Sequence, residues 1–465
     1  MTETVAPGRI APVWSVTIPE IRPPDCANSE RFAFHKEFGF LWYPNNMRLW
    51  INRRQFEGIA LTAATVGLDK LRASSGGSQA IHETLRTGTQ RRGIPVVVGM
   101  VANRNSILYS GAFGTRDETS KMPVNVNSIF SIASMTKAIT STAALQLVEQ
   151  AKLKLDEPAA RVLPELGKLK VIDGFDASTG VPKLRPLLKL VTLRHLLTHT
   201  SGFAYDTWNE TMFRYAQKTG TIDAPAIADP PSPLVFEPGS KWQYGTSLDW
   251  TSVMVEAASG KSLESYFQEN ILKPLGMNDT SFILTAEKFD RRVSVYQRQP
   301  DGKLRENPRV LPTPPARPTG GGGLYSTAPD YIRFTQMILG RGSFNGVRIL
   351  KSETVAQMSR NQIGPLSAGK LKSFRADRSA DVDLHPGAQD KWGLGFLINT
   401  VAYDGGRSAG SLAWAGVDNT FYWIDPHRGI AAVLMMQFLP FVDKEAVGML
   451  GDFERSVYSN VRGRT

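Results

Sequence analysis

The sequence predicts an α/β domain in which strands near both ends of the chain complete one sheet around an inserted helical region. Three observations carry this. The β-branched run Ile94 to Ala102 is followed, after the polar turn Asn103-Arg104-Asn105, by Ser106 to Ala112, which reads as a hairpin. Leu412 to Gln437 is again strand-like, with a turn at Pro426-His427-Arg428-Gly429. Between these regions the apolar residues recur mostly at helical spacing.

Along the chain, Ser78 to Arg91 reads as a helix, and so does the apolar stretch from Ile129 to about Ala151. Gly174 to Lys189 is punctuated by Pro and turn residues, so a loop is expected. Val191 to His199 reads as a short helix with Thr192 as its N-cap, and Pro225 to Gly239 as a Pro-rich loop. Ser247 to Ser259 and Ser262 to Leu275 are two more helical stretches. Gly320 to Gly323 reads as a mobile loop at the edge of a site. It leads into Thr327-Ala328-Pro329-Asp330, where an N-cap Thr, an early Pro and an Asp at N3 open a helix. Gly393 to Val401 is strand-like, and Lys444 to Val461 is helical. The expected domain is 76–465, with an α/β part over about 76–150 and 320–465 and a helical insertion over about 151–319.

The chain has 465 residues, 42% hydrophobic and 21% charged, an ordinary globular balance. The formal charge is +11, yet the basic residues are dispersed, so no nucleic-acid partner is expected. No apolar run reaches the length of a membrane span. The single cysteine, Cys26, excludes a disulfide framework and a cysteine-based zinc site.

Residues 1–75 form an N-terminal arm of different character. Asn52-Arg53-Arg54-Gln55-Phe56 precedes the weakly apolar Gly58 to Leu68, the layout of a twin-arginine signal over 47–73. Glu57, Asp69-Lys70 and a poor cleavage site at Leu71-Arg72-Ala73 speak against it. Translation starting at Met47 implies periplasmic export; otherwise the arm packs on the body and the protein is cytoplasmic.

Ser131 to Ala138 (SIASMTKA) carries the chemistry. A helix starting near Ser134 places Ser134 and Lys137 three residues apart on one face, with Ser134 at the positive end of the helix dipole. A serine hydroxyl is a weak nucleophile without an adjacent base, and a desolvated lysine amine can be that base. A second S-x-x-K, Ser367 to Lys370, lies in a Gly-bearing loop and lacks the helix. Gln243-Tyr244-Gly245-Thr246 precedes a helix, and Trp414-Ala415-Gly416-Val417 opens a late strand.

With these three motifs in order, the sequence resembles the serine β-lactamase and penicillin-binding-protein superfamily, in particular its class C-like branch and the family VIII carboxylesterases. Leu193 to Gly202 (LRHLLTHTSG), Pro274-Leu275-Gly276-Met277 and Gly321 to Thr327 resemble the family as well. The resemblance covers about Ser78 to Tyr458. It implies an α/β (α+β) β-lactamase/transpeptidase-like fold, with an antiparallel sheet flanked by helices and an inserted, mainly helical domain. It also implies that Ser134 is acylated, that Lys137 accepts or relays its proton, and that Tyr244 is a second base. The backbone N–H groups of Ser134 and Val417 would form an oxyanion hole, with Trp414, Gly416 and Thr246 binding substrate.

Two departures shape the expected substrate. Thr246 stands where the Y-x-N pattern has Asn, and Trp414 where K-T-G has Lys. Both weaken the case for β-lactams or D-peptides, and a Trp face suits an apolar acyl or alcohol group. The expectation is a serine hydrolase of small carboxylic esters, without metal or cofactor. Alternatives are an acyltransferase to an alcohol, a β-lactamase or D-peptidase, or an inactive binding protein of the same fold. The literal G-x-S-x-G around Ser408 reads as a hairpin tip, with Asp418 and His427 too close after it for an α/β-hydrolase triad. Asp249 reads as a solvated helix-start residue, although it could steer the Tyr244 loop. His195 and His199, four apart, read as a structural pair, because Leu196 stands where a zincin has Glu.

Overall fold

The computed structural model describes residues 77–461. The N-terminal arm, Cys26 and the twin-arginine segment lie outside the described residues. Helix α1 spans 77–92 and leads into strands β1 (Val96–Ala102) and β2 (Ile107–Gly114), paired antiparallel as the sequence predicts. Five further strands come from the other end of the chain: β3 (Lys391–Trp392), β4 (Leu397–Ile398), β5 (Leu412–Gly416), β6 (Thr420–Asp425) and β7 (Ile430–Met435). They form one antiparallel sheet in the order β3-β4-β5-β6-β7-β1-β2. The β1–β7 pairing, with Val98 opposite Met435, joins the two ends of the chain.

β1 is buried along its whole length, because helices cover both faces of the sheet. That explains a continuous apolar run rather than alternation. On one face Gly99 approaches α1 and the C-terminal helix α6 (Lys444–Asn460) so closely that a Cβ would lie 2.7 Å from Leu85 and 3.2 Å from Phe453. On the other face α5 (Ala328–Leu339) packs on β1 and β7. Its N-cap is Thr327, whose hydroxyl accepts from the Asp330 N–H, as its sequence predicts.

Helix α2 (Thr136–Glu149) is buried all round from Thr136 to Leu147 and packs against α4 (Ser247–Ser259). An apolar helix without a polar face is a core helix. Short α3 (Leu193–Leu197) is closed by a capping box between Thr192 and His195. Among the described residues no helix is long and apolar enough to cross a membrane.

Four expectations need correction. The helix expected from Ile129 begins at Thr136. Before it, Phe130–Ser131 pairs with Tyr325–Ser326, and a 3-10 turn covers Ala133–Met135. Gly174 to Lys189 is not all loop: Pro182–Pro186 pairs with Lys170–Phe175. Asp176 Oδ1 accepts from the N–H groups of Ser178 and Thr179, which closes the turn, and the two prolines sit at the ends of their strand. Leu412 to Gln437 holds a further turn at Val417–Asn419, where Asn419 adopts a left-handed φ of 63° and donates its N–H to the Gly416 carbonyl. Ser262 to Leu275 breaks into Leu263–Phe267 and a π-helical turn, Gln268–Leu272.

Candidate active site

The site forms where β5 ends against the turn before α2. A Cβ on Gly416 would lie 2.5 Å from the Ile132 carbonyl, so only glycine lets the strand end come this close. Ala133, next in the turn, has a φ of 40°, a left-handed conformation that a non-glycine residue adopts at some cost. Three contacts hold the turn. The Ser131 N–H donates to Gln437 Oε1 at 2.8 Å, the Ile132 N–H to the Leu324 carbonyl at 3.0 Å, and Tyr331 OH to the Met135 carbonyl at 2.8 Å. Ser134 therefore sits on a fixed, strained corner.

One helical turn on, Lys137 is buried at 1% exposure. Its Nζ lies 3.1 Å from Ser134 Oγ, as the S-x-x-K spacing predicts. The same nitrogen lies 3.2 Å from the phenol oxygen of Tyr205 and donates to the Gly321 carbonyl. Tyr205 escaped the sequence reading. It lies three residues beyond Gly202 in the segment after α3, where the backbone turns through a φ of 96°. The available signal was the Ser201-Gly202 turn followed by two aromatic residues, Phe203 and Tyr205. Burial, with Asp249 and Tyr244 nearby, pushes the Tyr205 phenol well above its ordinary range.

Tyr244 is buried at 2% exposure, with its ring 5.5 Å from that of Tyr205. Gly245 makes this possible, because a Cβ there would strike the Phe203 carbonyl at 2.2 Å. Lys137 Nζ lies over the Tyr244 ring, 4.8 Å from its centroid. The Tyr244 oxygen accepts from Trp414 Nε1 at 3.2 Å. A cleft of about 230 Å³ is lined by Ser134, Tyr244, Trp414, Val417, Trp208 and Phe441, among others. A second hollow of about 390 Å³ shares Trp414, Ala415 and Phe441 and continues along Leu397, Val382 and Leu384. Thr246 opens α4, and neither it nor Gly416 is on the wall of the first cleft.

Two expectations around the site are overturned. Asp249 is not solvated: it is 3% exposed, on α4, and its Oδ1 accepts from the Gly321 N–H at 3.0 Å. Gly320 to Gly323 is not a free edge loop. A Cβ on Gly320 would lie 2.6 Å from Ser252 and one on Gly321 2.3 Å from Asp249. Gly320 also receives the Thr140 hydroxyl at its carbonyl, at 2.7 Å, so the run is wedged between α2 and α4. The glycines serve close packing there, not mobility.

The remaining candidates are not on the wall of the first cleft. His195 Nδ1 accepts from the Thr192 N–H, and burial with nearby Lys189 lowers its ring to about 4. His199 is fully buried beside Tyr244 and Trp392, with ring centroids 4.7 and 5.1 Å away. Among the described residues no group of three or more His, Cys, Asp or Glu is arranged to hold a metal ion. Ser408 lies between β4 and β5, its N–H on Asp425 Oδ2 at 2.8 Å, while His427 is exposed at the β6–β7 turn. Ser367 is exposed, and Lys370 pairs with Asp383 at 3.1 Å.

A beta-lactamase family model matches residues 81–449. The chain belongs to that family. Monacolin J acid methylbutanoyltransferase of Aspergillus terreus is 31% identical over 403 residues, covering 82% of this chain and 95% of that protein. Esterase EstB of Burkholderia gladioli is 30% identical over 369 residues, covering 73% and 84%. Among solved structures, unliganded simvastatin synthase (LovD) from Aspergillus terreus superposes with a TM-score of 0.69 at 30% identity, covering 83% of this chain and 99% of that one. The antiparallel sheet with its flanking helices is thus a beta-lactamase-like fold, and the family includes both acyltransferases and esterases.

Proposed function

We propose that this protein is a serine acyl-transfer enzyme that forms an acyl-enzyme on Ser134 from a small carboxylic ester and passes the acyl group to an alcohol. The observation that carries this is the 3.1 Å contact between Lys137 Nζ and Ser134 Oγ at the wall of an aromatic cleft. Ser134 Oγ attacks the ester carbonyl carbon and Lys137 Nζ takes its proton. The N–H groups of Ser134 and Val417 receive the oxyanion, each worth about 3 kcal/mol of barrier. Collapse expels the alkoxide, which leaves as the alcohol with a proton returned through Lys137 or Tyr244. The acceptor hydroxyl then repeats these steps in reverse.

The aromatic lining supports an organic acceptor over water, as do the transferases among the relatives. Hydrolysis is the same path with water as acceptor, and the likeness to an esterase supports that second reading. Trp414, in place of a lysine, gives no cation to meet the carboxylate of a β-lactam.

The test is intact-mass measurement after incubation with p-nitrophenyl esters of graded length, with and without added alcohols. An adduct mapped to Ser134 and an ester product that grows with alcohol concentration are expected. Ser134→Ala abolishes both, whereas Ser408→Ala leaves them unchanged. A Ser134→Ala protein that still turns over esters refutes the assignment.

A further inference from the structure

We infer that Asp249 is a positioning residue that acts on Lys137 by holding the backbone of Gly321. The inference rests on the roles of Ser134 and Lys137 proposed above. One residue, Gly321, stands between the two side chains. Asp249 Oδ1 accepts the Gly321 N–H at 3.0 Å, and the Gly321 carbonyl accepts from Lys137 Nζ. The N–H belongs to the 320–321 peptide and the carbonyl to the 321–322 peptide, so Asp249 fixes the residue whose carbonyl meets Lys137 and places its charge one residue from the amine.

The rest of the local structure serves this contact. Gly321 has no room for a Cβ, which would lie 2.3 Å from Asp249 Oδ2. Gly320 is tied on both sides, its N–H to Ser252 Oγ at 3.1 Å and its carbonyl to Thr140. Asp249 stands in the first turn of α4, where the helix dipole favours negative charge. Its Oδ2 is buried beside Thr319, with no hydrogen bond of normal geometry.

Lys137 needs such a group. When it takes the Ser134 proton it becomes a cation in a site with little water. Among the described residues no carboxylate forms an ion pair with it. The groups facing Asp249 are Lys137 from α2, the Tyr205 phenol from the segment after α3, and Thr319 with Gly321 from the glycine run. Asp249 is thus the negative charge behind the bond that steadies the ammonium form. Burial holds its carboxyl above the ordinary carboxylate range, so its charge is lost at a higher pH than for a surface aspartate.

The experiment compares wild-type, Asp249→Asn, Asp249→Ala and Ser134→Ala full-length protein for thermal midpoint, burst rate and kcat with a p-nitrophenyl ester from pH 4 to 8. Asn keeps an oxygen for the Gly321 N–H but loses the charge. Asp249→Asn is expected to keep the midpoint and KM while lowering kcat about 10-fold, the effect of one charge-assisted hydrogen bond. The wild-type advantage shrinks toward unity as pH falls and Asp249 is protonated. Asp249→Ala loses more, through displacement of the glycine run. If Asp249→Asn folds poorly, Asp249→Glu, which keeps the charge, is compared with Asp249→Ala by fluorophosphonate labelling: a rate recovered toward wild type by Glu supports the inference, and equal rates for the two variants overturn it. Equal rates for wild type and Asp249→Asn at every pH, with Ser134→Ala inactive, overturn the inference and leave the Ser134 reading intact. Loss of activity in parallel with the midpoint, at a ratio independent of pH, also overturns it. An active Ser134→Ala protein removes the reading beneath it.

Discussion

Trp414 Nε1 donates to the phenol oxygen of Tyr244 across 3.2 Å, and the two ring centroids lie 4.8 Å apart. Trp414 therefore orients Tyr244, the tyrosine proposed as a second base. Trp414→Phe keeps an aromatic wall and removes the donor. The lost neutral hydrogen bond is worth about 1 kcal/mol, so kcat falls about 5- to 10-fold with KM nearly unchanged. Steady-state kinetics with a short-chain ester measures this. An unchanged kcat would mean that Tyr244 is held by its packing alone.

Tyr205 is the phenol in hydrogen-bond reach of Lys137, at 3.2 Å. A neutral amine has two N–H groups and one lone pair. The Gly321 carbonyl can only accept, so it takes one N–H, and Tyr205 can accept the other. The lone pair is then aimed at the Ser134 hydroxyl. Tyr205→Phe frees the amine to rotate, and the Ser134 acylation burst slows by about 10-fold while the thermal midpoint stays within a few degrees. A burst as fast as wild type would assign Tyr205 to packing.

The Ser134–Lys137 pairing was readable because it needs only three residues of helix, a local geometry that the sequence states directly. The hairpin of β1 and β2 and the helix caps Thr192 and Thr327 were readable for the same reason, whereas of the strand expected over Gly393 to Val401 only Leu397–Ile398 forms. What stayed hidden depends on contacts between distant segments. Asp249 looks solvated in its own helix turn and becomes buried only when residues 320–323 pack over it. Tyr205 reaches Lys137 from 68 positions away. The turn at Val417–Asn419 carries no Gly or Pro of its own, and the strained backbone falls on Asn419, whose type tolerates it.

Gly416 couples the sheet to the nucleophile. A Cβ there would meet the Ile132 carbonyl at 2.5 Å and Thr420 Oγ1 at 2.3 Å. Neither neighbour is a flexible chain end, so Gly416→Ala must shift the strand end or the turn, at about 1–3 kcal/mol. Such a shift moves the Val417 N–H away from the place proposed for the oxyanion. The expected outcome is a lower midpoint in differential scanning calorimetry together with a fall of about 100-fold in kcat. A variant with reduced stability but full activity on the folded fraction would remove Val417 from the proposed oxyanion hole.

Asp418 follows Val417 and is 8% exposed. Burial raises its carboxyl to about 6, against the pull of Ser131, Arg292, Arg378 and Gln437. In the unfolded chain an aspartate titrates near an ordinary value of about 4. Between those values the folded state binds more protons than the unfolded one, so stability falls as pH rises through that window and stays lower at neutral pH. The cost of ionising Asp418 is on the order of 2 kcal/mol. Asp418→Asn removes the charge and keeps a side chain that hydrogen-bonds. Its thermal midpoint is expected to exceed wild type at pH 7.5 and to match it near pH 4. A variant that melts below wild type by the same interval at both values would show that the carboxylate stabilises the turn rather than burdening it.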